Sequence, residues 1–70
     1  MDAKKLFSKE VIDVDGNKIG KIADMNVDIT AGTVNYLVLA AGLTKKYRVE
    51  LNQIMTIGDK VILNVKKDEL

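Results

Sequence analysis

Residues 10–28, EVIDVDGNKIGKIADMNVD, decide the fold of this chain. A short apolar run, Val11-Ile12 with Val14, meets a turn at Asp15-Gly16-Asn17. It resumes as Ile19-Gly20-Lys21-Ile22 and closes with Met25-Asn26-Val27-Asp28 before a second turn at Ala31-Gly32. Period-two runs punctuated by Gly, Asn and Asp, which tolerate positive φ, predict a β-hairpin leading into a meander. Met25, Val27 and Ile29 alternate with Asn26 and Asp28, while Ile22 falls out of step by one position. A bulge near Ala23-Asp24 restores the phase, as is common where small sheets curl into barrels.

Working outward, residues 10–14 form a first strand and residues 19–29 a second. The third, residues 33–40, is apolar on both faces: Val34, Tyr36 and Val38 on one, Leu37 and Leu39 on the other. Such a strand is covered twice or offers one face to a partner. With no convincing helix to cover it, Tyr36, Leu37 and Leu39, together with neighbouring Leu43, are the expected interface. The fourth strand, residues 46–51, turns Tyr47, Val49 and Leu51 inward and its charges outward. Asn52-Gln53-Ile54-Met55 is expected to make a single helical turn, and Lys60 to Val65 the last strand. The reading is one all-β domain over residues 1–70, a small barrel or roll of about five to six antiparallel strands. Its core spans residues 6–65, and residues 66–70 are expected to be a frayed charged tail.

At 70 residues the chain lies near the lower size limit for independent folding. A core this small rarely supplies more than about 3–5 kcal/mol without a staple. The sequence has no cysteine and no histidine, so disulfides, thiolate sites and imidazole ligands are excluded. Carboxylates are the only metal ligands left, and self-association into a homodimer is the expected stabiliser. Eleven basic and ten acidic side chains leave a formal charge of +1, unlike the basic balance of a nucleic-acid binder. No apolar run reaches the roughly 20 residues of a membrane span. Met1-Asp2-Ala3-Lys4-Lys5-Leu6 lacks the apolar centre of a secretory signal, and the expected location is cytoplasmic. Lys67-Asp68-Glu69-Leu70 spells an endoplasmic-reticulum retrieval signal, but that address is read in a lumen this chain is not expected to enter.

The chemical candidates are few. Asp13-Val14-Asp15-Gly16-Asn17 suggests a calcium loop, yet counted from Asp13 the glycine falls at position 4 and Asp24 at position 12. An EF-hand needs glycine at position 6 and a bidentate glutamate at position 12, so the turn reading prevails. Gly16-Asn17-Lys18-Ile19-Gly20 has neither the glycine spacing nor the helix of a phosphate cradle, and Gly20 is read as permitting close strand packing. Asp24 and Asp28 share a strand face about 13 Å apart, too far for paired acid–base work. No catalytic, cofactor or metal site is expected. Lys45, Lys46 and Arg48 beside Tyr47 are the candidates for RNA contact, an aromatic among cations being able to stack a base. The alternation instead places Tyr47 with Val49 and Leu51 in the core.

In order and spacing the chain resembles the PRC-barrel domains. Leu6-Phe7-Ser8-Lys9-Glu10-Val11 is similar to the family's opening, and Asp15-Gly16-Asn17-Lys18-Ile19-Gly20-Lys21-Ile22 to its hairpin. Val27-Asp28 with Gly32-Thr33-Val34, then Leu37-Val38-Leu39, match the second turn and third strand. Val49-Glu50-Leu51 with Ile54, and Ile57-Gly58-Asp59, complete the pattern. Relatives often carry a proline in the segment matching Val49-Glu50-Leu51, and this chain has none. The resemblance implies a non-enzymatic docking module, usually dimeric, without cofactor, acting on a protein partner the sequence does not identify. Single-domain archaeal members, some similar to CdpB-type division proteins, look most alike and imply an adaptor role in archaeal cell division. The family also includes the cytoplasmic domain of the photosynthetic reaction-centre H subunit. The C-terminal domain of the ribosome-maturation factor RimM implies the alternative, a ribosome- or RNA-processing-associated module.

Overall fold

The computed structural model describes residues 2–70. A single helical turn α1 (Ala3–Leu6) leads into β1 (Glu10–Ile12), β2 (Lys18–Asp28), β3 (Thr33–Ala41) and β4 (Lys45–Glu50). A 3-10 turn (Leu51–Gln53) follows, then β5 (Ile54–Ile57), β6 (Val61–Leu63) and a second 3-10 turn (Lys67–Glu69). The six strands form one sheet in the order β4-β3-β2-β1-β6-β5, curled so that its inner face encloses the core. The all-β barrel reading holds. One ladder departs from an antiparallel arrangement: β1 and β6 run parallel, with Val11 opposite Val61 and Ile12 opposite Ile62. Parallel neighbours need a long connection between them, and β2 to β5 supply it.

The β1–β2 hairpin turns where Asp15-Gly16 predicts, with Gly16 at φ 85°, a conformation open to glycine at little cost. The expected bulge is present. Register shifts between Ile22 and Asp24, leaving Ala23 outside the β2–β3 ladder and turning Ile22 into the core. At Gly20, β2 lies close against the Ala40 backbone of β3. A Cβ there would overlap the Ala40 carbonyl oxygen and stand 2.9 Å from its carbonyl carbon.

Leu6, Val11, Ile19, Ile22, Leu37, Leu39, Val49, Val61 and Leu63 form the buried cluster. Leu6 shows what α1 contributes: a turn too short for independent stability that seats one leucine in the core. Three local expectations are corrected. The first strand stops at Ile12, because Asp13 diverts the chain into the turn, and Val14 is left exposed. Leu51 opens the 3-10 turn and lies largely in solvent, since the Gln53 side-chain oxygen accepts the Glu50 N–H (2.9 Å) and ends β4 there. Ile54 and Met55 are strand, not helix, pairing with β6 as a sixth strand. Lys67–Glu69 forms a turn, Leu70 packs against the core, and the Lys67 N–H donates to Asp13 Oδ2 (3.1 Å).

Candidate functional site

The register of the β3–β4 hairpin sorts its side chains onto two faces. Leu37 opposite Val49 and Leu39 opposite Tyr47 point inward, so Tyr36, Val38 and Ala40 point outward with Glu50, Arg48 and Lys46 opposite them. From β2, Asp24 pairs with Val38 and Asn26 with Tyr36, adding two polar neighbours to the same face. Tyr36 and Val38 are half-buried among these charges. The Arg48 guanidinium lies 4.2 Å from the centre of the Tyr36 ring and 3.3 Å from Glu50 Oε1. The stack is worth about 0.5–1 kcal/mol at an exposed site, and the exposed ion pair adds little. Together they hold an aromatic ring and a guanidinium in fixed orientation on an open sheet face.

The four residues expected at an interface do not share a surface. Leu37 and Leu39 are 2 % and 1 % exposed, inside the core. The sheet curls over its own inner face, and they belong to one buried cluster with Leu6, Val11, Val61 and Leu63 of the same chain. Tyr36 stands on the opposite, outer face, and Leu43 is fully exposed at the tip of the β3–β4 hairpin, 103 % relative to an open reference. Lys45, Lys46 and Arg48 also divide. Lys46 and Arg48 share the outer face, whereas Lys45 lies on the inner side with its ammonium 5.1 Å from the Tyr47 ring centre. Tyr47 raises the Lys45 ammonium above its ordinary value, first by hydrogen bonding and then by charge. Val38 shares the outer face with Tyr36, as its place on the strand implies, and Asp24 of β2 joins them there. The clean alternation of Lys46, Arg48 and Glu50 could have marked that side, once paired in register with β3.

A second polar cluster surrounds Asp13, which is 1 % exposed. Oδ1 accepts the N–H groups of Asp15 (3.0 Å) and Asn17 (2.8 Å), and Oδ2 accepts Asn17 Nδ2 (3.3 Å) and the Lys67 N–H. Burial pushes the carboxyl up, but these donors outweigh it and hold it below its ordinary value. Both oxygens thus serve the turn, and Oδ2 also holds the C-terminal segment. An open cavity of about 370 Å³ borders the cluster, lined by Asp15, Asn17, Lys18, Lys66, Lys67 and Asp68 as well as Asp13. Its cations and carboxylates are mixed, and its one buried carboxylate is already occupied by donors.

Among the described residues, no helix is long and apolar enough to cross a membrane. No group of three or more potential metal-ligating side chains gathers among them. A comparison with curated proteins gives no match. The PRC-barrel domain profile matches residues 1–70, the whole length of the sequence. The sequence so matched folds into one curled six-stranded sheet, and the chain belongs to the PRC-barrel domain family.

Proposed function

We propose that this chain is a non-enzymatic docking module that acts as a cytoplasmic homodimer and recruits a protein partner, with archaeal cell division as the process the family resemblance suggests. The observation that carries the docking role is the Tyr36–Arg48 stack beside half-buried Val38 on the outer face of β2, β3 and β4. Tyrosine and arginine dominate the energetic centres of protein interfaces, and a ring pre-oriented by its neighbour loses less side-chain freedom on binding. Charges of both signs rim the apolar centre: Asp24 and Glu50 against Lys46 and Arg48. That is the anatomy of a protein contact. The homodimer draws on apolar exposure elsewhere, at Leu51, Met55 and Ile57 around β5.

The alternative is a ribosome- or RNA-associated module, supported by Lys45, Lys46 and Arg48 on one strand. It is the weaker reading, because the chain is almost neutral, at a formal +1, and its three β4 cations are divided between two faces and do not form one basic surface.

Affinity capture from lysate of the source organism, with and without nuclease, tests both readings when wild type is run beside Tyr36→Ala and Arg48→Ala. A protein captured by wild type, resistant to nuclease and lost from both variants supports docking through this face. Ribosomal proteins that disappear with nuclease support the alternative. A partner retained by both variants removes this face from the function.

A further inference from the structure

Among the described residues the sheet has two free edges, and they differ. β5 is four residues long and bulged between Ile54 and Thr56, two devices that blunt an edge against pairing. β4 is six residues long, and its ladder with β3 runs from Tyr36–Glu50 to Ala41–Lys45 without a register shift. Its outer edge pairs with no strand among the described residues, so up to Val49 it presents backbone donors and acceptors, while the Glu50 N–H is taken by Gln53 Oε1. It also carries Lys45, Lys46 and Arg48 against the single carboxylate of Glu50. Three cations on an edge repel a second copy of the same strand. They attract a strand of opposite charge.

We infer that the free edge of β4 accepts an acidic extended peptide from a partner protein as a seventh strand. This names the partner chemistry of the docking role proposed above and rests on that reading. The alternation of β4 specifies the peptide. Its outer-face positions lie beside Lys46 and Arg48, so two acidic residues separated by one residue face those cations. The intervening position falls on the inner side, next to Tyr47 and Val49, and is apolar. The position beside Glu50 is neutral or basic. Backbone hydrogen bonds hold the strand, and the acid–apolar alternation gives it specificity.

The test uses the intact chain and a fluorescent peptide alternating glutamate and valine, with a lysine–valine peptide and a single-stranded RNA oligonucleotide as comparators. Anisotropy reads binding, and hydrogen exchange reads the amides of residues 45–50. The expected result is binding of the acidic peptide alone, weakened by salt, with slowed exchange confined to β4 and its neighbours. Lys45→Glu/Lys46→Glu, which leaves the Tyr36–Arg48 stack in place, should weaken the acidic peptide at least tenfold while its circular dichroism stays that of wild type. If this variant fails to fold, raised salt and the lysine–valine peptide on wild type carry the same charge test. Equal binding of both peptides, no exchange protection in β4, or RNA bound in preference to the acidic peptide overturns the inference. A partner captured through Tyr36 and Arg48 while the acidic peptide fails to bind removes the β4 edge and leaves the docking role standing.

Discussion

Asp13 Oδ2 accepts the backbone N–H of Lys67 at 3.1 Å, joining a turn near the start of the chain to its last turn across 54 positions. The same carboxylate closes its own turn through Asp15 and Asn17. One buried side chain therefore sets the hairpin geometry and fastens the C-terminal segment beside it. A carboxylate is suited to this because it only accepts, and every group it faces here is an N–H donor.

The first prediction concerns acid. The folded Asp13 carboxyl lies below its unfolded value, so it stabilises the fold above the unfolded value, roughly 3.9 for aspartate, and loses that contribution as pH falls through the lowered folded value. Asp13→Asn should melt lower than wild type at neutral pH, and the gap should narrow on acidification. Parallel melting curves across the acid range would contradict this role for Asp13.

Gly20→Ala should destabilise by about 1–3 kcal/mol or more, because its Cβ meets the Ala40 backbone and not a yielding side chain. Gly58→Ala is the matched control, with no atom near the added Cβ and an ordinary φ, and its change should stay within about 0.5 kcal/mol. Urea titrations of both variants compare them directly.

Core and surface leucines should separate cleanly. Leu37→Ala and Leu39→Ala each remove a buried side chain, a loss of about 2–5 kcal/mol that equals the whole margin of a domain this small. Circular dichroism should show both largely unfolded. Leu43→Glu, at the exposed hairpin tip, should fold as wild type does. A well-folded Leu37→Glu protein would return Leu37 to the surface and refute the inward register of β3.

For the homodimer, sedimentation equilibrium should give twice the chain mass for wild type. Met55→Lys, at a position 57 % exposed on the uncharged β5, should shift it to monomer without lowering the helical or strand signal. A monomeric wild type would end the homodimer reading. A dimer unchanged in Met55→Lys would move its interface away from β5.

The outer face of β3 was half legible in the sequence. Tyr36 and Val38 were seen to share a side of their strand, but Leu37 and Leu39 are just as apolar, and period-two alternation cannot say which side turns inward. Pairing decided it. The three-residue Gly42-Leu43-Thr44 connection sets Leu37 against Val49, and the charged side of β4 then falls beside Tyr36. The turn at Asp15-Gly16 is legible in the sequence, but Asp13 lies in that turn and not in the first strand, and its hold on Lys67 depends on where distant segments come to lie.

By itself the sequence determined what short-range stereochemistry controls: the Asp15-Gly16 turn, the slip in phase that places a bulge at Ala23, the need for glycine at position 20, and the family pattern. Tertiary structure alone decided the parallel β1–β6 ladder, β5 as a free sixth strand, the inward side of β3 and the anchored C-terminal turn. The division has one physical reason. Turns, bulges and alternation are set by residues within a few positions of each other. Pairing partners and the covered face are settled only when distant segments compete to bury the same apolar surface.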